Sequence, residues 1–189
     1  MAAPETISIL DITGKWVMNK TLSDNPDELL GLQGVGLITR KIIGVVTITQ
    51  GIKHFKDENG VEHVDNDQSF AGGLASTKEE RIYSNVTTEH ADHLYGPMKN
   101  TSWRCPVADI EHEYLKTGWT EDTIKHGTLR TVSVSDVAKG NIKQWTADQV
   151  WGFELIEGER RYTRRIKFTG PDGEGVEIRM VHNYLGPLA

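Results

Sequence analysis

A succession of about ten short strand-like segments, joined by tight turns and interrupted by a single helical pair, restricts the possible folds of this chain more than any other feature of its sequence. Gly14–Ser23 alternates, with Trp16, Met18 and Lys20 on one face and Val17, Asn19 and Thr21 on the other. Val45–Lys56 is rich in β-branched residues, Asp57-Glu58-Asn59-Gly60 supplies a hairpin turn, and Val61–Phe70 returns. Further candidates follow at Glu80–Asn85, Thr87–Tyr95, Met98–Cys105, Tyr114–Trp119, Gly127–Ser135, Ile142–Asp148 and Val150–Ile156. Glu157-Gly158-Glu159 turns the chain into Arg160–Thr169, and Gly170–Gly175 turns it into Val176–Tyr184. Ala71–Thr77 reads as a small-residue loop and Pro106–Glu113 as irregular or one helical turn. There is no βαβ rhythm and no internal repeat. Sequential hairpins predict an up-and-down meander, and closing it removes its exposed edges. The expectation is therefore all-β: a closed antiparallel barrel of about ten strands, one domain over residues 1–189.

The helical pair occupies Asn25–Gly44. Asn25 is placed as N-cap, Pro26 suits the first turn, and Glu28 is spaced for a capping box. Gly31 and Gly34 break the pair; the second helix begins near Val35, carries Ile38 and Ile42 as an apolar stripe, and stops at Gly44. Helices this short are marginal alone, so they must cap the strands. The GLQGVG run inside them follows a helix rather than a strand, which excludes a dinucleotide fingerprint.

A net charge of -6 offers no basic footprint for nucleic acid or for an anionic membrane. No apolar run approaches the roughly 20 residues needed to span a bilayer, and the opening residues lack a secretory pattern, so a cytoplasmic location is expected. Cys105 is the only cysteine, which excludes an intramolecular disulfide.

Three stretches carry a family resemblance. Gly14-Lys15-Trp16 matches a G-x-W at the start of a first strand, Leu29–Gly44 resembles a helix-turn-helix with Leu-Gly-Val-Gly before Thr-Arg-Lys, and Ile142–Trp145, the Glu157–Glu159 hairpin and Arg179 follow in order. On these residues the chain resembles the calycin superfamily, specifically the intracellular fatty-acid-binding proteins. The resemblance implies an interior cavity for one apolar molecule, gated by the helical pair. It also implies that Arg179 and Gln144 stand near the family's anionic-headgroup positions. Gln144 takes the place of an arginine there, and the tyrosine partner of Arg179 is replaced by Val181. A carboxamide suits an alcohol, carbonyl or phenol better than a carboxylate.

The expected ligand-binding residues are Gln144, Arg179, Trp16, Asn19, Trp145 and Ile38, and the candidate catalytic residue is His182. His182 and Arg179 have opposite parity on the last strand, so only one can face inward without a bulge. His90 and His93 lie on opposite faces of a strand, and no third ligand accompanies them, so no metal site is expected. Glu111-His112-Glu113 reads as solvated loop, Cys105 as a small apolar strand residue, and the Arg160–Lys167 cluster as an outer face with one or two members turned inward. No cofactor is expected. Two functions fit: an intracellular carrier of a small hydrophobic molecule, or a lipocalin-fold enzyme, a cyclase, isomerase or pericyclic catalyst of natural-product biosynthesis, using the same cavity. Neither ligand identity nor oligomeric state is legible.

Overall fold

The computed structural model describes residues 1–71 and 74–188. Ten antiparallel strands form one curled sheet: β1 (Gly14–Met18), β2 (Ile48–Lys56), β3 (Glu62–Phe70), β4 (Leu74–Ile82), β5 (Thr87–Asp92), β6 (Gly96–Cys105), β7 (Thr128–Ser135), β8 (Thr146–Ile156), β9 (Glu159–Thr169) and β10 (Gly175–Gly186). Their order, β4-β3-β2-β1-β10-β9-β8-β7-β6-β5, is a meander in which only the β1–β10 pair joins distant segments. The turns explain the register. Glu157 and Gly158 both have positive φ, 52° and 78°, and this twist lets Ile156 pair with Glu159 across a two-residue hairpin. In the β2–β3 turn, Asp57 Oδ1 accepts from the amides of Asn59 and Val61, each at 2.9 Å.

The sheet is not a closed ladder. Among the described residues β4 and β5 are its two edges and no ladder joins them. Side chains nevertheless cross from one flank to the other. Ile52 and Val64 share a core with Leu129, Trp151, Phe153 and Tyr162, packed around fully buried Trp16.

Several segments differ from the sequence expectation for local reasons. Within the expected Ala71–Thr77 loop, Leu74–Thr77 belongs to β4, while Gly72 and Gly73 lie outside the described residues. β8 begins only at Thr146, because Asn141 pulls the preceding chain out of the ladder. Its Nδ2 donates to Tyr95 O at 2.7 Å and to Pro97 O at 3.0 Å. Tyr114–Trp119 is not a strand: α3 (Glu113–Lys116) occupies its start, and Trp119 makes a single bridge to Glu154. The helical pair is α1 (Asp27–Leu32) and α2 (Leu37–Val45). Asn25 Oδ1 accepts from Asp27 N at 3.0 Å, but Pro26 is the N-cap, and α2 runs through Gly44 instead of stopping there.

Residues 106–126 form an outer layer that the sequence did not reveal. This strap ends in α4 (Glu121–His126) and lays Val107, Ile110, Leu115 and Trp119 against Val150 and Cys105 on the outside of the sheet. Beneath it, Glu154 is buried and accepts from Arg165 Nε at 3.0 Å, Arg165 Nη2 at 2.7 Å and Thr163 Oγ1 at 2.7 Å. No helix among the described residues is long and apolar enough to cross a membrane.

Candidate functional site

Strand alternation sends Ala147, Gln149, Trp151 and Phe153 of β8 inward, together with Tyr162, Arg164 and Ile166 of β9 and Met180 and His182 of β10. Between this face and α1 lies a cavity of about 150 Å³. Its apolar wall includes Leu29, Trp145, Ala147, Ile166 and Ile178. Leu29 and Leu30 are the buried residues of α1, which closes one side. At Glu79, Arg81 and His90 the cavity adjoins a cleft between the edge strands β4 and β5.

Polar groups stand beside these apolar ones on the same strands. Arg164 donates to Gln149 Oε1, and Gln149 Nε2 donates to Ser133 Oγ at 3.1 Å. Arg164 Nε is buried without a hydrogen-bond partner, and among the described residues no carboxylate pairs with this guanidinium. Arg81 pairs with Glu79 at 2.5 Å, yet its Nε is also unpartnered. Both guanidinium carbons lie over the Trp151 ring, Arg81 at 4.5 Å and Arg164 at 5.2 Å from the centroid. Burial, and then the Arg81 charge, lower the pKa of Arg164. Burial acts in the same sense on Arg81, but Glu79 outweighs it and raises that pKa. Burial pushes the phenols of Tyr83 and Tyr95 up to about 12, so both remain protonated donors near neutrality.

The residues expected from sequence are not brought together. His182 is inward, 4% exposed, with its ring 5.5 Å from that of Tyr162 and Nδ1 unpartnered. Burial, and then Arg164, lower its pKa to about 4, so it is a neutral imidazole near pH 7. Arg179 has the opposite parity and lies outside, 3.5 Å from Glu154 Oε2; it does not line the cavity. Gln144 is exposed just before β8 and does not line the cavity, whereas Gln33, Gln68 and Gln149 do. Asn19 closes the turn after β1, bonding Asn183 and accepting from the amides of Thr21 and Leu22. Ile38 is 78% exposed on α2, where no residue is buried. Trp16 is core, its Nε1 donating to Ile12 O at 3.0 Å. Trp145 lines the cavity, with Nε1 unpartnered. His90 lines the cavity wall, His112 pairs with Glu177 at 3.5 Å, and Cys105 is buried under the strap.

Gln149, Arg81 and Glu79 are not singled out by the sequence reading, and Arg164 enters it only as one member of the Arg160–Lys167 cluster. A signal was present for two of them: Arg164 interrupts the period-two series Tyr162, Ile166, Phe168, and Gln149 interrupts Ala147, Trp151, Phe153. A lone polar residue in an apolar stripe marks a buried group that needs a partner.

No family model matches the chain. It is 29% identical over 189 residues to a protein of Mollisia scopiformis named probable pericyclase scpY, covering 98% of this chain and 96% of that one. It is 28% identical over 194 residues to pericyclase pydY of Acremonium sp, covering 100% of both. Among solved structures, fatty-acid-binding protein 1 of Echinococcus granulosus matches with a TM-score of 0.54 at 13% identity, over 92% of this chain and 97% of that one. The REP1-NXSQ fatty acid transporter matches at 0.53 and 15% identity, over 94% and 98%. A fatty-acid-binding protein from Drosophila melanogaster brain matches at 0.51 and 14% identity, over 89% and 95%. These likenesses concern the fold alone: the curled antiparallel sheet of this chain resembles that of fatty-acid-binding proteins.

Proposed function

We propose that this chain, whose fold is that of the fatty-acid-binding proteins and whose sequence matches two proteins named pericyclases from end to end, encloses one small, largely apolar molecule and guides its ring closure. The observation that carries the reading is that end-to-end match. The cavity supports it. A carrier needs apolar walls and one anchor, whereas this cavity adds two guanidinium groups on a tryptophan face and a carboxamide that orients one of them. A pericyclic step moves electrons round a ring of substrate atoms and needs neither a nucleophile nor a transferred group. What the protein supplies is conformation: folding a flexible chain so that its reacting ends meet. Enclosure belongs to the same proposal, with the shared core and the Glu62–Arg104 pair holding the flanks of the sheet together as a working barrel. So do the cytoplasmic location and the absence of any nucleic-acid partner.

The fold favours a second reading, passive carriage of a hydrophobic ligand. Incubation with a linear conjugated polyene that carries a tethered alkene separates the two. An enzyme consumes the diene absorbance faster than the protein-free control and yields an isomer of unchanged mass. A carrier binds the polyene and returns it intact.

A further inference from the structure

We infer that Arg164, held like Arg81 over the Trp151 ring, takes a carbonyl oxygen of the substrate, so that the molecule this cavity transforms is a polyene whose reacting alkene is conjugated to a carbonyl group. The inference rests on the ring-closing function proposed above, and it adds a substrate class and a residue in contact with it.

Arg164 is an unusual occupant of its position. It stands in an inward stripe with Tyr162, Ile166 and Phe168, all buried. Its protein partner is the neutral Gln149 Oε1, and its Nε is buried without an acceptor. The Glu79 carboxylate is committed to Arg81. Among the described residues, Arg164 is thus a cation facing the cavity with no carboxylate bonded to it, Glu79 acting on it only at longer range. A buried donor without an acceptor is unfavourable until something completes it. The missing partner is an acceptor oxygen in the cavity. Gln149, itself held by Ser133, and the Trp151 face fix the guanidinium plane before any ligand arrives, as a preorganised donor requires.

The chemistry points the same way. A pericyclic closure of a pure hydrocarbon develops little charge, and a guanidinium beside it contributes nothing to the rate. When the alkene is conjugated to a carbonyl, a donor on the oxygen withdraws electron density and makes the alkene a better acceptor for the diene. Two carbon–carbon σ bonds form as two π bonds are consumed. No atom leaves and no electron is exchanged, so the oxygen returns to its starting state and the product is an isomer of the substrate. Tyr95, a protonated phenol that also lines the cavity, adds a second possible donor and no competing anion.

The test uses two probes: a short trienone, in which a diene is tethered to an enone, and the same compound with the carbonyl replaced by methylene. Equilibrium binding is followed by tryptophan fluorescence, and kcat and KM by chromatography, for the wild type, Arg164→Gln and Arg164→Lys, each first shown to be folded by its circular dichroism melt. The wild type should bind the trienone about tenfold or more tightly than the hydrocarbon, as a charge-assisted hydrogen bond predicts. R164Q should lose that preference and lower kcat for the trienone about tenfold or more, while R164K retains part of both. A folded R164Q that keeps the preference and the rate overturns the inference, as does a wild type that does not discriminate between the probes. Selective binding lost in R164Q without turnover by any form would uphold the carbonyl contact and reject the ring-closing function. Turnover that survives R164Q unchanged would do the reverse.

Discussion

Arg104 of β6 reaches across the unpaired flanks of the sheet to Glu62 of β3, its Nε 3.0 Å from Oε2 and its Nη2 on Oε1. The same carboxylate meets His54 Nε2 at 2.7 Å, and Arg104 also donates to the carbonyls of Ile9, His126 and Gly127. Every polar atom of the pair thus has a use, which is the condition under which a buried ion pair is worth keeping. Removing one partner strands the other. Arg104→Leu should lower unfolding stability in urea by about 3–5 kcal/mol, and Arg104→Lys should recover only part, because one ammonium cannot replace a two-point contact.

Acid should loosen the same clasp. Burial alone would raise the pKa of Glu62, but the hydrogen bonds and charges of His54 and Arg104 outweigh it and hold it at about 2. A depressed carboxylate contributes stability that is complete above its unfolded value of 4.5 and is lost as the pH falls toward about 2. Acid unfolding followed by far-ultraviolet circular dichroism should show this loss in the wild type. In Glu62→Gln the slope over that interval should be shallower.

His182 should remain neutral through the physiological range. Its folded pKa of about 4 lies below the ordinary 6.5, so its contribution to stability is complete above 6.5 and declines as the pH falls toward 4. Observed by NMR, the His182 ring carbon and proton should barely shift between pH 8 and about 5.5. A midpoint near 6.5 would mean that the ring is open to water. At neutral pH the side chain is then an uncharged ring packed on Tyr162 and not a proton donor in charged form.

The outer strap depends on the absence of a side chain at Gly152. A Cβ there would lie 2.7 Å from Thr123 Cγ2 and 2.7 Å from Trp119 Cε3. Gly152→Ala should therefore destabilise the fold by about 1–3 kcal/mol through overpacking, detectable as a lowered Tm. Faster hydrogen exchange confined to residues 106–126 would show that the strap lifts before the sheet opens.

The two cap helices should respond differently to truncation. Leu29 is buried in the cavity cluster, and Leu29→Ala should cost about 2–5 kcal/mol. Ile38→Ala should change stability by no more than about 0.5 kcal/mol, since that side chain lies in the open. Equal losses in urea titrations would contradict the burial seen here.

Much of the sheet was legible because turn chemistry and strand alternation are local. Glu157-Gly158 and Gly170–Gly175 punctuate the chain wherever the register needs them. The strap was illegible for the opposite reason: Leu115 and Trp119 are fixed by packing on Val150 and by the Glu154–Arg165 pair, distant partners that no local pattern announces. The polar lining of the cavity differs from the one expected by resemblance. Placing the polar ligand contact at Gln144 and Arg179 followed the family's positions, whereas β8 starts after Gln144 and Arg179 has outward parity. The alternation within β8 and β9 pointed instead to Gln149 and Arg164.

The central claim, that the cavity itself closes a ring, is tested most directly by the stereochemistry of the product. A flexible trienone that cyclises free in solution gives a mixture of stereoisomers, while one folded against Trp145, Ala147 and Ile166 can close in only one sense. Chiral chromatography of the product formed with protein in molar excess should show a single dominant stereoisomer. Ala147→Phe, which fills the cavity from a buried position on β8, should return the product to the protein-free mixture. A product whose stereoisomer ratio matches the protein-free control with the wild type would contradict the claim.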